Sequence, residues 1–102
     1  MPERRSAPRV SIDLLFNKHV NGYPRLCRAT NVSRTGMKAT LFLEPDCVAE
    51  SAAIELRLPG DRESIWAWAR TVRADGRERA LRFQALHHRD QRRLDAFLAR
   101  AH

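Results

Sequence analysis

Apolar and polar residues alternate with a period of two through most of this chain, and turn-forming residues interrupt the alternation at short intervals. A period of two puts successive side chains on opposite faces of a strand, so a chain written this way has to form short strands with one dry and one wet face. Val10, Ile12, Leu14 and Phe16 alternate with Ser11, Asp13 and Leu15 in the first strand. Asn17 to Pro24 reads as a loop, with Asn21-Gly22 as its turn signal. A second strand is expected from about Arg25 to Val32. A third carries Met37, Ala39, Leu41 and Leu43 on one face and Lys38, Thr40 and Phe42 on the other. Glu44-Pro45-Asp46 ends it, and residues 46–52 show no period. Ile54, Leu56 and Leu58 alternate with Glu55 and Arg57 in a fourth strand, which Pro59-Gly60-Asp61 turns. Ile65 to Ala74 forms a fifth, with Trp66 and Trp68 sharing one face. Asp75-Gly76, a strong hairpin signal, leads into a sixth from Arg79 to Leu86, with Leu81 and Phe83 on one face.

The period then changes. Leu94, Phe97, Leu98 and Ala101 stand at i, i+3, i+4 and i+7, which predicts a helix over about 89–101. Arg89, Arg92, Arg93 and Arg100 lie off its apolar face. Burying Leu94, Phe97 and Leu98 against the strands would contribute roughly 1.5–3 kcal/mol each. The expected fold is therefore all-β with a terminal helix: a six-stranded antiparallel β-barrel closed by a C-terminal α-helix. Closure also removes the exposed sheet edges on which strands aggregate. A chain of 102 residues makes one such domain, with a core that needs neither disulfide nor metal. Residues 1–9, polar and basic with Pro2 and Pro8, read as a flexible N-terminal arm, and residues 10–102 as barrel and helix.

No apolar run approaches the roughly 20 residues of a membrane span. The N-terminus has no apolar stretch of the secretory kind, so a cytoplasmic protein is expected and no membrane partner. For the same reason the glycosylation pattern Asn31-Val32-Ser33 is set aside. Cys27 and Cys47 have no metal-ligand spacing and are expected as reduced, structural thiols. His87 and His88 are expected at the helix entry and His19 and His102 at the surface, with no metal site. The net charge is +7, and the basic residues are 17 arginines and 2 lysines. That points to an anionic partner, and the arginine fork suits phosphate and the guanine O6/N7 edge better than lysine does.

Two motifs concentrate that chemistry. Arg5-Ser6-Ala7-Pro8-Arg9 is an Arg-x-x-x-Arg on the arm, immediately before the first strand. The same spacing at Arg73/Arg77 and Arg89/Arg93 falls on a predicted hairpin and a predicted helix, where a solvated face is the better account. Asn31-Val32-Ser33-Arg34-Thr35-Gly36 forms an [Asp/Asn]-x-Ser-x-x-Gly corner between the second and third strands. Short polar side chains hold such a turn, and glycine there allows either φ > 0 or close approach by another group. Trp66 and Trp68 are read as core or partner contacts in preference to base-stacking ones.

In this order and separation the paired motifs resemble those of the PilZ domain, and the strand series with its closing helix fits the same family over nearly the whole chain. The resemblance implies binding of the bacterial second messenger cyclic di-GMP, as ligand and not as cofactor. It assigns the ligand to Arg5, Arg9, Asn31, Ser33 and Gly36, with Arg34 nearby. Arg4 would reach a second molecule if the ligand binds as an intercalated dimer rather than as one molecule. It further implies a signalling adaptor without enzymatic activity. Such an adaptor acts on a downstream protein in motility, biofilm or related processes, since the barrel leaves no room for an output domain; a homodimer is among the states it allows. The competing readings are a PilZ-like interaction module that binds no nucleotide, and a small basic nucleic-acid-binding barrel. The arginine motif argues against the first, and the second is told apart by single-stranded nucleic acid binding with steep salt dependence and without Arg5 or Asn31 being singled out. No catalytic constellation stands out in the sequence.

Overall fold

The computed structural model describes residues 9–42 and 51–101. Arg4, Arg5, Leu43, the Glu44-Pro45-Asp46 strand end, Cys47 and His102 lie outside the described residues. Within them the element order is β1 (Val10–Val20), β2 (Tyr23–Val32), β3 (Gly36–Leu41), β4 (Ser51–Leu56), β5 (Ile65–Asp75), β6 (Glu78–Leu86) and α1 (His88–Ala101). The strands pair antiparallel in the order β1-β2-β3-β6-β5-β4 and close into a barrel, with β1 bonding both β2 and β4.

Alternation decides what the barrel contains. Phe16, Cys27 and Leu41 face inward in one row across β1, β2 and β3, and Val32, Met37, Leu81 and Thr71 in another across β2, β3, β6 and β5. Several inward positions are alanine (Ala29, Ala39, Ala52, Ala67, Ala69), which leaves room at the centre for Phe16, Met37 and the helix. Leu94 of α1 is wholly buried, Leu98 is nearly so, and Phe97 packs beside them, so α1 seals the barrel with the face its spacing predicts. Ala101, expected on that face, is exposed.

The helix starts at a cap that fits the expectation for His87 and His88. The Arg89 backbone N–H donates to His87 Nδ1 at 3.1 Å, and the Gln91 N–H donates to the His87 carbonyl at 2.9 Å. The imidazole thus satisfies one of the donors that a helix N-terminus leaves open.

Several details depart from the sequence reading. Asn17 to Pro24 is not a loop: β1 and β2 run through it and turn on two residues, Asn21 at φ 53° and Gly22 at φ 83°. Two positive φ angles in succession make the primed turn whose twist matches the strands, which is why an Asn-Gly pair needs no longer connection. Lengthening β1 brings Lys18 into the interior, where it is 3% exposed, and half-buries His19, which the sequence placed at the surface. His19 Nε2 lies 3.1 Å from Glu55 Oε1, and its ring lies 5.2 Å from that of Trp66.

Trp66 and Trp68 are not core. They are 46% and 49% exposed, because the inward positions of β5 are Ile65, Ala67, Ala69 and Thr71. Arg93 is not a solvated helix residue either. Its guanidinium bonds Asp61 and Asp90, each at 3.1 Å, together with the backbone carbonyls of Glu63 and Ser64. It pins the β4–β5 connection to α1.

Candidate functional site

The corner between β2 and β3 is built by its own side chains. Ser33 is 1% exposed, and its hydroxyl oxygen accepts from the Thr35 backbone N–H at 3.2 Å while lying 3.4 Å from the Gly36 carbonyl. The Ser33 N–H donates to the same carbonyl at 2.8 Å, and the Phe83 N–H of β6 donates to the Thr35 carbonyl at 2.8 Å. The serine shapes the turn from within, and β6 clamps the turn from the side.

Gly36 is glycine for close approach and not for its φ angle. A Cβ there would stand 2.2 Å from the Leu81 carbonyl oxygen on β6, closer than any side chain could come. Only a bare backbone lets β3 and β6 pair at this point, where Gly36 lies opposite Arg82.

Asn31 owes its direction to a bulge. Pairing of β2 with β3 passes from Ala29↔Ala39 to Asn31↔Lys38, leaving Thr30 as an extra residue. Strict alternation from Cys27 and Ala29 would aim residue 31 into the core. The extra residue reverses the phase, so Val32 is buried and Asn31 reaches the surface. There Asn31 Oδ1 accepts from Arg9 Nη1 at 3.0 Å. The last arginine of the arm motif and the first residue of the corner motif, 22 positions apart, are in direct contact.

Two further irregularities fall on the same belt of the barrel. The β1–β2 register shifts between Ser11 and Leu14, and the β5–β6 register shifts between Thr71 and Arg73. Together the bulges align one row across five strands: Ser11, Asn31, Lys38, Ala80 and Arg73. Beside that row opens a cleft of about 190 Å³, lined by Arg9, Lys38, Arg73 and Arg79 against Asp75 and Glu78. Four cations facing two carboxylates make it an electropositive recess. It is smaller than the roughly 300–1,000 Å³ that encloses a drug-sized ligand, so it suits an anionic group of a molecule lying mostly on the surface. Sequence reading misses Lys38 and Arg73 because their alignment in one row depends on bulges, and Arg79 because nothing local marks it as a buried arginine at the hairpin end. Arg79, 4% exposed, donates from Nη1 to the carbonyls of Gly76 and Glu78, which holds the end of the β5–β6 hairpin.

Arg34 points away from this recess. Its Nε and Nη2 donate to Asp95 Oδ1 and Oδ2 at 3.1 and 3.2 Å, a bidentate pair between the corner and α1. The hydrogen bonds from Arg34 hold the Asp95 carboxyl below its usual range, with partial burial opposing them and a bond from Gln91 assisting. The Arg34 guanidinium is correspondingly shifted up by the same contact. Arg4 and Arg5 fall outside the described residues.

The family model described as PilZ domain matches residues 3–100 of the chain. No curated protein matches it at a significant level. Among solved structures, the inhibitor of motility MotI/DgrA from Bacillus subtilis is similar with a TM-score of 0.80 at 21% identity, over 97% of this chain and 52% of that one. The present chain therefore spans about half the length of that relative. The PilZ domain of YcgR from Escherichia coli, solved with c-di-GMP, is similar with a TM-score of 0.78 at 18% identity, over 97% and 92% of the two chains. These likenesses show a shared barrel fold.

Proposed function

The chain belongs to the PilZ domain family, and we propose that it binds cyclic di-GMP at the junction of arm and corner and passes that signal to a partner protein. The observation that carries the reading is the Arg9–Asn31 hydrogen bond, which joins the two motifs on the barrel surface. The relative solved with c-di-GMP is consistent with it.

Arg9 spends one N–H on Asn31 and retains donors for a phosphate or a guanine edge. Arg5, on the arm, supplies the second fork. Asn31 offers an amide for a base edge, and Lys38 and Arg73 add positive potential behind it. Ser33 and Gly36 contribute by fixing the turn, so their part is to aim Asn31 and not to touch the ligand. Arg34 acts through α1. Arg4 is assigned to a second, intercalated ligand molecule. Ordering the arm over the ligand costs conformational entropy. The charge-assisted bonds, roughly 1.5–3 kcal/mol each, offset that cost and turn binding into arm closure. The output is regulatory and not enzymatic, placed in the cytoplasm and in processes such as motility or biofilm formation. Among the described residues no helix is long and apolar enough to cross a membrane.

Calorimetric titration with cyclic di-GMP tests the proposal. Arg5→Ala and Arg9→Ala should each weaken binding by about tenfold to a hundredfold, one charged hydrogen bond's worth, with the melting temperature of the free protein unchanged. A stoichiometry of two that falls to one in Arg4→Ala would place Arg4 on the second molecule. Absence of heat with the native chain would refute the reading.

A further inference from the structure

The outer wall of the barrel along β5 carries apolar surface that the proposed nucleotide site does not use. On β5, Trp66 and Trp68 project outward, followed by Arg70 on the same face. Strand pairing sets their neighbours. Trp68 lies in a row with Pro24, His19, Ala53 and Ala85 across β2, β1, β4, β5 and β6. Trp66 lies in the adjacent row with Leu26, Asn17 and Glu55, and Leu26 is 50% exposed. The row curves around the closed barrel, so the flat part of the surface is the strip along β5, where Trp66, Trp68 and Arg70 stand at alternate positions. At about 3.3 Å per residue that strip is roughly 13 Å long, the reach of an extended segment of about five residues.

The charges around the strip are sorted. In the next row Arg70 stands directly opposite Arg82, both exposed, and neither has an acidic partner among the described residues. Like charges directly opposite on adjacent strands destabilise a sheet. The other end is acidic: Glu55 lies opposite Trp66, and Asp90 accepts the Trp66 backbone N–H at 3.2 Å. Glu55 is engaged by His19 and Asp90 by Arg93. The strip thus runs from an acidic end, where Glu55 contacts His19 and Asp90 contacts Arg93, over two tryptophans, to a pair of arginines with no acidic partner among the described residues.

This pattern selects among occupants. A second copy would bring another Arg70–Arg82 pair onto a chain already at +7. A single-stranded nucleic acid stacked on both tryptophans would carry phosphates past Glu55 and Asp90 as well as past the arginines. A peptide segment whose acidic residues are confined to one end fits both ends. Trp and Arg are also the side chains that most often dominate protein interfaces.

We propose that the Trp66–Trp68–Arg70–Arg82 face docks an extended segment of a partner protein, with an apolar side chain seated on the tryptophans and acidic residues over Arg70 and Arg82. The proposal deepens the adaptor part of the function above and does not require the nucleotide. Arg82, opposite Gly36, makes the face contiguous with the corner.

The probes are synthetic twelve-residue peptides. One set has an acidic block beside Leu, Phe or Trp, a second has the same block with alanines, and a third has a basic block beside the same apolar residues. A fifteen-residue oligothymidylate and a dilution series of the protein alone complete the series. Binding is read by tryptophan emission and by amide shifts mapped onto β5 and β6. The expected result is binding of the first set with emission shifted to the blue, at least tenfold weaker for the other two sets. Trp68→Ala and Arg70→Glu should each weaken it at least tenfold. Arg70→Glu should also raise the melting temperature by removing the like-charge pair, which separates lost docking from lost folding. Cyclic di-GMP titrated into the same samples keeps the two readings apart, since Trp68→Ala should leave its binding heat unchanged. Four results would each overturn the proposal: no binding by any acidic–apolar peptide, binding indifferent to both substitutions, tryptophan-dependent binding of oligothymidylate in place of peptide, and tryptophan-dependent self-association.

Discussion

Asn31 faces outward because Thr30 is one residue too many in β2, and the corner that follows is held by two residues with different duties. Ser33 bonds the turn from inside, so Ser33→Ala removes the acceptor of the Thr35 N–H and should cost about 1 kcal/mol. Gly36→Ala forces a methyl against the Leu81 carbonyl, so β3 and β6 must part, at a cost of at least about 1–3 kcal/mol. Urea unfolding of both variants checks the order: the glycine substitution should be the more damaging. Ligand affinity should fall in either variant only as far as Asn31 is displaced.

At the level of elements, α1 is both stopper and strut. Leu94 is wholly enclosed, so Leu94→Ala should destabilise the domain by about 2–5 kcal/mol in denaturant titration. The Arg34–Asp95 pair ties α1 to the corner and gives that tie a pH dependence. Because the folded protein holds the Asp95 carboxyl below its ordinary value, the pair's stabilisation is complete above the unfolded value, near 4, and is lost as pH falls through the folded value. Asp95→Asn should therefore melt slightly below the native protein at pH 7, with the difference closing as pH falls below the unfolded carboxylate value and through the folded one. The alternation that revealed the strands also revealed the stopper, since a change of period marks a change of element. Alternation does not say where it breaks phase. The bulges at Thr30 and Val72, which put Asn31 and Arg73 on one row, depend on pairing with distant strands and leave no local mark. Alternation leaves core and partner contact both open for the tryptophans for a related reason: period two says that Trp66 and Trp68 share a face, but only a barrel already filled by Phe16, Met37 and Leu94 makes that face the outer one. The Asn17–Pro24 stretch reads as a loop in sequence because its polar residues hide a continued alternation, with Lys18 inward and His19 outward.

For the whole molecule, the closed barrel acts as a rigid post with chemistry distributed around it. The arm meets one side at Arg9 and Asn31, an electropositive recess adjoins that contact, and an aromatic strip lies around the wall toward Arg82. A net charge of +7 favours an anionic ligand at long range, so raising salt from about 0.01 M to 1 M, which shortens the screening length from about 30 to about 3 Å, should slow nucleotide association. The central claim is that arm and corner form one cyclic di-GMP site, and the melting temperature with and without excess nucleotide tests it most directly. Ligand at about a hundred times its dissociation constant stabilises by about 2.7 kcal/mol, which for a domain of this size raises the melting temperature by roughly 10–20 °C. The account predicts that rise in the native protein and, at the same nucleotide concentration, a rise of about half that or less in Arg9→Ala and in Asn31→Ala, with all three melting alike in the absence of nucleotide. A native protein that melts at the same temperature with and without saturating nucleotide, or an undiminished rise in both variants, would contradict it.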